Sequence, residues 1–177
     1  MKLTHYRRPI VGIVGAADAS AACLADAEAL GAAVARQGWI VLTGGRDAGV
    51  MAAACAGAKQ VPGSLTLGIL PSTSGGANPH VDIAVFTGMG DGRNVVNVLT
   101  SDIVVACGVE GAGTASEVAL ALKSGKPVIL LRAAASAHAF FGRLQGGEAL
   151  LAADSVEQVI ELIDTRVGER RPDRHRR

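Results

Sequence analysis

Short, nearly unbroken apolar runs alternate with helical segments along most of this chain. Apolar runs of this kind are typical of strands that are buried on both faces of a sheet. Because helical segments separate most of the runs, the strands must lie mostly parallel, with each helix carrying the chain back over the sheet. The predicted strands span Ile10–Val14, Trp39–Leu42, Leu65–Leu70, Val81–Phe86, Asp102–Cys107 and Pro127–Leu131. The alternation therefore predicts an α/β fold, a Rossmann-like doubly wound parallel sheet in a single domain.

The helical segments fit this scheme. The predicted helices span Ala21–Gln37, Ala48–Lys59, Arg93–Thr100 and Thr114–Lys123, and a polar loop spans Ser72–His80. Beyond Leu131 the pattern predicts a helix at Ala137–Leu144, a short strand at Ala149–Leu151 and an amphipathic helix at Ser155–Val167. The 177 residues suit one domain, and the core must be aliphatic because 49% of the residues are hydrophobic but only 3% are aromatic.

Charge and pattern divide the chain into three parts. These are an N-terminal extension at residues 1–9, a folded domain at 10–167 and a basic, disordered tail at 168–177. The segment Arg166–Arg177 carries a net charge of +4, whereas the rest of the chain carries −3. The slightly acidic body argues against a nucleic-acid surface. At most, the tail makes a weak contact with RNA or anionic lipid.

The cysteines predict a reduced, cytoplasmic protein. Cys23, Cys55 and Cys107 are widely spaced, and Met1–Pro9 is polar and basic, unlike a signal peptide. No apolar run has the length of a membrane span. No His, Cys and Asp set has the spacing of metal ligands, so we expect no metal site.

Glycine-rich, polar loops follow four of the predicted strands, at residues 15–20, 43–49, 87–92 and 108–114. In a parallel sheet these loops emerge at one edge, beyond the carboxyl ends of the strands, where open α/β sheets bind ligands. The helix N-termini that follow offer unpaired N–H groups to an anion. The combination predicts a phosphate site. No loop is a Walker A motif, and Gly12-x-x-Gly15 is not a full GxGxxG, so an NAD dehydrogenase is disfavoured.

Two charged residues stand at the same predicted edge. Arg93 opens the third helix, and its guanidinium group suits a phosphate or a carboxylate. Glu117 has two interpretations of equal weight. Thr114-Ala-Ser-Glu117 has the spacing of a helix capping box. Alternatively, the carboxylate stabilises the positive charge that develops on a ribose 5′-phosphate when its base leaves. The functional interpretation requires Arg93 and Glu117 to meet around one anion pocket.

Three motifs resemble the LOG-like superfamily, and within it most closely the branch of the molybdenum cofactor carrier proteins. They are Thr43-Gly-Gly-x-x-x-Gly49-Val-Met51, Gly88-Met-Gly-x-x-Arg93-Asn94 and Gly111-Ala-Gly-Thr-x-x-Glu117. The resemblance covers Ile10–Leu131. It implies a Rossmann-like fold, a homodimer or homotetramer and a phosphorylated small-molecule ligand. No cofactor is required, and molybdenum cofactor is a candidate ligand.

The resemblance implies two functions. One is carrier-like binding of a phosphorylated pterin- or nucleotide-type molecule. The alternative is a LOG-type phosphoribohydrolase that cleaves the N-glycosidic bond of a cytokinin nucleoside 5′-monophosphate, with Arg93 and Glu117 as catalytic residues. The Pro-Gly-Gly start of the LOG signature is replaced by Val109-Glu110-Gly111, which places a second carboxylate in the loop and favours the carrier. A nucleotide-sensing domain is a more distant third function. The residues predicted to bind the ligand or its phosphate are Gly15, Gly44, Gly45, Gly49, Met89, Gly90, Asn94, Gly111, Gly113 and Thr114.

Overall fold

The computed structural model describes residues 8–144 and 146–169, so most of the predicted N-terminal extension and residues 170–177 of the predicted tail lie outside the described residues. Within this part of the chain seven strands form one sheet. They are β1 (Ile10–Gly15), β2 (Ile40–Thr43), β3 (Thr66–Leu70), β4 (Ile83–Phe86), β5 (Ile103–Cys107), β6 (Val128–Leu131) and β7 (Leu150–Ala153).

All neighbouring strands pair in parallel, in the order β4-β3-β2-β1-β5-β6-β7. The chain builds outward from β1 to one edge and then returns to build outward from β5 to the other. The strand order therefore reverses between β1 and β5, whose residues Gly15 and Cys107 are paired at the carboxyl end. The Rossmann-like, doubly wound parallel sheet predicted from the apolar runs is confirmed.

Helices cover both faces of the sheet. They are α1 (Ala21–Arg36), α2 (Gly49–Lys59), α3 (Arg93–Thr100), α4 (Ala112–Lys123), α5 (Ala135–Phe141) and α6 (Val156–Glu169). Side chains of α1, α2 and α6 pack with Val11 and Ile13 of β1 on one face. Side chains of α3, α4 and α5 pack with Val14 on the other face. Alternate residues of one buried strand thus serve two separate cores, as period-two side-chain geometry requires.

Helices α1 and α2 touch backbone to backbone. A Cβ atom on Gly31 would lie 2.0 Å from the carbonyl oxygen of Ala54, and one on Gly57 would lie 1.9 Å from the carbonyl oxygen of Glu28. Only glycine permits so close an approach. The two helices therefore form a closely fitted pair on one face of the sheet.

Most element boundaries agree with the predicted ones within two residues. Helix α4 begins at Ala112 rather than Thr114, and β7 extends to Ala153 rather than Leu151. The predicted polar loop at Ser72–His80 contains no helix or strand. No helix in the described ranges combines the length and apolar character needed to cross a bilayer.

Candidate functional site

A cavity of about 240 Å³ lies where the strand order reverses. It is bounded by the carboxyl end of β1, the loop after β2, the start of α3 and the start of α4. This is the position at which open α/β sheets bind ligands. The lining residues are Ile13, Val14, Gly15, Ala16, Ala17, Gly44, Arg46, Met51, Asp91, Arg93, Asn94, Gly111, Gly113, Thr114 and Glu117.

The structure brings most of the predicted site residues together at this cavity. Both predicted catalytic residues and six of the ten predicted binding residues line it. The six are Gly15, Gly44, Asn94, Gly111, Gly113 and Thr114. Gly45, Gly49, Met89 and Gly90 are not among its lining residues. Gly49 instead packs against the β1–α1 loop, where a Cβ atom would lie 2.2 Å from the carbonyl oxygen of Ala16, and the Met89 side chain is 52% exposed.

Gly44 provides the space in which the Arg93 guanidinium group lies. A Cβ atom at Gly44 would lie 2.4 Å from Nη1, 2.6 Å from Nη2 and 2.7 Å from Cζ of Arg93. The guanidinium group therefore rests against the Gly44 backbone. The absence of a side chain at Gly44 thus makes room for Arg93, and it also leaves the loop backbone accessible to a ligand.

Arg93, Glu117 and Asn97 form a buried polar cluster. Arg93 Nη1 lies 3.7 Å from Glu117 Oε1, and the two residues are 7% and 6% exposed. Asn97 Nδ2 donates a 2.8 Å hydrogen bond to the same Glu117 oxygen. Arg93 Nε and Asn97 Oδ1 are buried and have no hydrogen-bond partner. The cluster therefore has one hydrogen-bond donor and one acceptor that no protein group satisfies.

Burial shifts the pKa values of both charged groups of this cluster, Glu117 and Arg93. Burial raises the pKa of the Glu117 carboxyl group, although the hydrogen bond from Asn97 and the charge of Arg93 oppose the shift. Burial lowers the pKa of the Arg93 guanidinium group, and the charge of Glu117 opposes it. Each group therefore costs free energy to keep charged in this environment. A carboxylate with a raised pKa inside a cavity is a recurrent feature of functional sites.

The capping-box interpretation of Glu117 is wrong. Gly111 precedes the first turn of α4, which has no side-chain cap, and Thr114 lies inside the helix. The Glu117 carboxylate contacts Asn97 and Arg93 of α3 instead. Its position is therefore explained by the cavity and by contact between two helices.

The N-terminus of α4 is open to a ligand at this edge. Ser20 Oγ caps α1 by accepting from Cys23 N, and the Ala16 carbonyl oxygen accepts from Val50 N at the start of α2. A short 3₁₀ turn at Gly90–Gly92 leads directly into α3. Helix α4 has no side-chain cap, and its first residues Ala112 and Gly113 are exposed. Unpaired N–H groups and the positive end of the helix dipole therefore face the cavity at α4.

Glu110 lies in the loop between β5 and α4, but its carboxylate does not line this cavity. It lines a separate cavity of about 130 Å³, together with Cys23, Cys107 and Asp26. Its carboxylate lies beside Gly108, where a Cβ atom would be 3.0 Å from Glu110 Oε2. Gly108 has a φ of 67°, which turns the loop in the left-handed region. The Val109-Glu110 departure from the LOG signature therefore gives no electrostatic argument against hydrolysis at Glu117.

Comparison with known proteins identifies the relatives of this fold and site. A model of the SLOG cluster4 family matches residues 8–160. The chain belongs to the SLOG cluster4 family. The resemblance to the LOG-like superfamily and its carrier-protein branch is thereby confirmed.

Two solved structures are closely similar to this SLOG cluster4 chain. The molybdenum cofactor binding protein of Rippkaea orientalis is 47% identical, with a TM-score of 0.87 over 91% of this chain and 98% of that one. The molybdenum cofactor carrier protein of Chlamydomonas reinhardtii is 43% identical, with a TM-score of 0.84 over 91% of this chain and 99% of that one. A protein of Archaeoglobus fulgidus is 38% identical over 122 residues, which cover 69% of this chain and 79% of that protein.

Several lining residues of the SLOG cavity were not predicted. Arg46 and Asp91 bring a second cation and a second carboxylate to it. Met51 also lines it and is only 5% exposed. Arg46 follows Gly44-Gly45 in a predicted site loop, so its position was available from the same reasoning that selected those glycines. Within the described ranges, no three His, Cys, Asp or Glu side chains cluster as metal ligands would.

Proposed function

We propose that this SLOG protein binds a phosphorylated pterin- or nucleotide-type molecule, as a carrier of the molybdenum cofactor type. One observation carries the proposal: the uncapped N-terminus of α4 and the buried guanidinium group of Arg93 line the same cavity. Helix N-termini and arginine are the two protein groups best suited to a phosphate. The names of the relatives that are 47% and 43% identical, a molybdenum cofactor binding protein and a carrier protein, support the same ligand class.

The residues present fit a phosphorylated pterin. Backbone N–H groups at Gly113 and Thr114 would hold the phosphate, and Arg93 would add a charged contact. A phosphate there would relieve the cost of burying Arg93, whose pKa burial lowers. The unpartnered Asn97 oxygen and Arg93 Nε are further polar groups of this cluster. When bound, the pterin cofactor would supply its own chemistry, while the protein would orient and shield it.

A substitution at Gly113 tests the proposal while sparing the fold. Nothing lies within 4 Å of a Cβ atom built there, so a side chain fits. In Gly113→Asp, the carboxylate stands at the helix N-terminus, where negative charge stabilises a helix. The same charge repels a bound phosphate. We expect unchanged or higher thermal stability together with an affinity weakened about tenfold or more.

Gly113→Asn is the matched control, because it has the same shape without the charge. Ligand retention is measured by denaturing each purified protein and quantifying released phosphorylated pterins and nucleotides by mass spectrometry. Retention should be similar in wild type and Gly113→Asn, and low in Gly113→Asp. Equal retention in Gly113→Asp and Gly113→Asn would refute a phosphate at the start of α4.

The second candidate function is the LOG-type phosphoribohydrolase. The observation in its favour is the position of Glu117, a buried carboxyl group that lines the cavity 3.7 Å from Arg93. When ionised, such a group can stabilise a ribosyl cation, and its raised pKa suits it to take a proton from water. The assay incubates the protein with AMP and with an N6-modified adenosine monophosphate, and measures free base by chromatography. Release that disappears in Glu117→Gln would establish hydrolysis. No release from either nucleotide would refute the hydrolase.

We also propose that the protein is a homo-oligomer. Apolar side chains are exposed on the edge strand β4 and on the following helix α3: Ile83 (48%), Val85 (39%), Phe86 (41%), Val95 (40%) and Leu99 (55%). Unpaired strand edges and exposed apolar surfaces mark association sites. Light scattering after size exclusion should show a multimer that Leu99→Glu reduces in size. Phe140→Glu is the control, since Phe140 is 61% exposed on a different helix. An unchanged mass in Leu99→Glu would place the interface elsewhere.

A further inference from the structure

We propose that the ligand has two ring-bearing halves joined by a pyrophosphate, with Arg46 at the junction. This deepens the proposed function and rests on it. The second half would occupy another cavity at the same edge of the sheet, lined by residues of the β3–β4 connection. Arg46 lines both cavities.

Local structure holds Arg46 between the two cavities. Gly45 has a φ of 73° and packs so closely that a Cβ atom would lie 3.0 Å from Gly68 Cα. The next residue, Arg46, forms an isolated antiparallel bridge with Ala77 of the β3–β4 connection. Asn78 N donates to the Gly45 carbonyl oxygen at 2.9 Å. The loop that carries Arg46 is therefore tied to the wall of the second cavity.

The charges favour an anionic group beside Arg46. Within the described part of the chain, no carboxylate lies within ion-pair distance of Arg46. Burial and the nearby charge of Arg46 lower the pKa of the Arg93 guanidinium group, while the carboxylates of Glu117 and Asp91 oppose that shift. The two cations therefore repel one another, and a pyrophosphate between them would relieve that repulsion.

The cavity volumes are compatible with a two-part ligand. The first cavity measures about 240 Å³ and the second about 330 Å³. Cavities that enclose a cofactor-sized ligand usually span about 300–1,000 Å³. The first cavity alone falls below that range, the second lies just inside it, and the two together remain inside it.

The second cavity has the mixed lining that suits a heterocyclic ring. Leu70 and Pro71 supply apolar surface, and Ser72 and Ser74 supply hydroxyl groups. Gly75 and Gly76 leave the outer wall open, since nothing lies within 4 Å of a Cβ atom at either position. A planar, polar ring can therefore enter from solvent and bind through apolar contact with Leu70 and Pro71 and hydrogen bonds to the serine hydroxyl groups.

The test measures affinity by isothermal titration calorimetry on the full chain stripped of co-purified ligand. The probes are AMP and GMP, and the corresponding diadenosine and diguanosine pyrophosphates. We expect a dinucleotide to bind about tenfold more tightly or better than its mononucleotide, the usual effect of one added charged contact. Arg46→Ala and Ser74→Trp, which fills the second cavity, should each remove that gain. Ser74 lines the second cavity and not the first, so Ser74→Trp should also leave mononucleotide affinity within about twofold of wild type. Arg36→Ala, a charge removed at the far end of α1, should change neither.

The outcomes separate this inference from the proposed function. Mononucleotide binding without any dinucleotide gain, or a gain that survives in Arg46→Ala and Ser74→Trp, overturns the two-part ligand and leaves the proposed function standing. Equal weakening of dinucleotide affinity in Arg46→Ala and Arg36→Ala also overturns it, because the electrostatic field of the whole protein would then explain the result. If no probe binds, the proposal of a dinucleotide ligand is overturned. The carrier function is tested separately, by comparing ligand retention in Gly113→Asn and Gly113→Asp.

Discussion

Replacing Gly44 by alanine should displace Arg93 and weaken both stability and ligand binding. The new Cβ atom would lie 2.4–2.7 Å from three guanidinium atoms, which is about 1 Å closer than carbon and nitrogen atoms pack in protein interiors. Gly44 has no positive φ, so the effect is steric and not a matter of backbone strain. Overpacking of this kind costs about 1–3 kcal/mol. For a chain of this size that corresponds to a fall in Tm of about 2–12 °C.

Binding should weaken because the guanidinium group leaves its position against the loop. Loss of one charge-assisted hydrogen bond costs about 1.5–3 kcal/mol, or about 10–150-fold in Kd. Thermal unfolding and calorimetric titration measure the two effects. Gly113→Ala is the control at the same cavity, since a Cβ atom there meets nothing within 4 Å and alanine favours a helix by about 0.5–1 kcal/mol.

A double substitution isolates the clash. In Gly44→Ala with Arg93→Lys, the slimmer ammonium side chain no longer meets the new methyl group, so the pair should be more stable than the sum of the single effects predicts. Additive losses would show that Gly44 and Arg93 do not share this space. Equal Tm and Kd values in Gly44→Ala and Gly113→Ala would refute the steric reasoning outright.

Two further predictions concern Glu117 and the α1–α2 contact. Because burial raises the pKa of Glu117, this carboxyl group contributes its stability fully below the ordinary carboxyl value of about 4.3, and the contribution is lost as the pH rises through the raised folded pKa. Glu117→Gln should therefore gain unfolding free energy relative to wild type as the pH increases across that window, measured by urea unfolding at several pH values. A profile parallel to that of the wild type would contradict this. Gly31→Ala should lower stability by about 1–3 kcal/mol, because its Cβ atom would lie 2.0 Å from the Ala54 carbonyl oxygen. Replacing an ordinary helical glycine by alanine raises Tm, so a rise in Gly31→Ala would show that α1 and α2 can move apart without a loss of stability.

The fold was predictable because strong local patterns and the sheet topology agree. Runs such as Val104–Cys107 are apolar throughout, and they are fully buried in β5. The start of α4 was harder to predict, since Thr114 and Glu117 have capping-box spacing although the helix begins at Ala112. Only the packing of α3 against α4 shows that Glu117 turns to Asn97 instead.

The site was predictable in position but not in its detailed contacts. Shared topology placed the strand-to-helix loops at one edge, which suffices to bring Arg93 and Glu117 near each other. The direction of Glu110 depends on the left-handed turn at Gly108, which sequence does not reveal. A loop glycine can permit a turn, the approach of a ligand or the packing of a neighbouring side chain, and the sequence does not distinguish these. The contact between Gly44 and Arg93 is therefore visible only in the structure.

Because α1 and α2 touch backbone to backbone, the two sides of the cavity differ in rigidity. On one side the cavity is lined by Met51 of α2 and by Ala16 and Ala17 of the loop before α1. The main chains of these two helices touch, so this side has little freedom to move. The opposite side is joined by side-chain bonds between α3 and α4, from Asn94 to Ser116 and from Asn97 to Glu117. Occupation of the cavity should consequently slow deuterium uptake mainly at the amides of α3 and the first turns of α4, and leave the α1–α2 pair as slow as before.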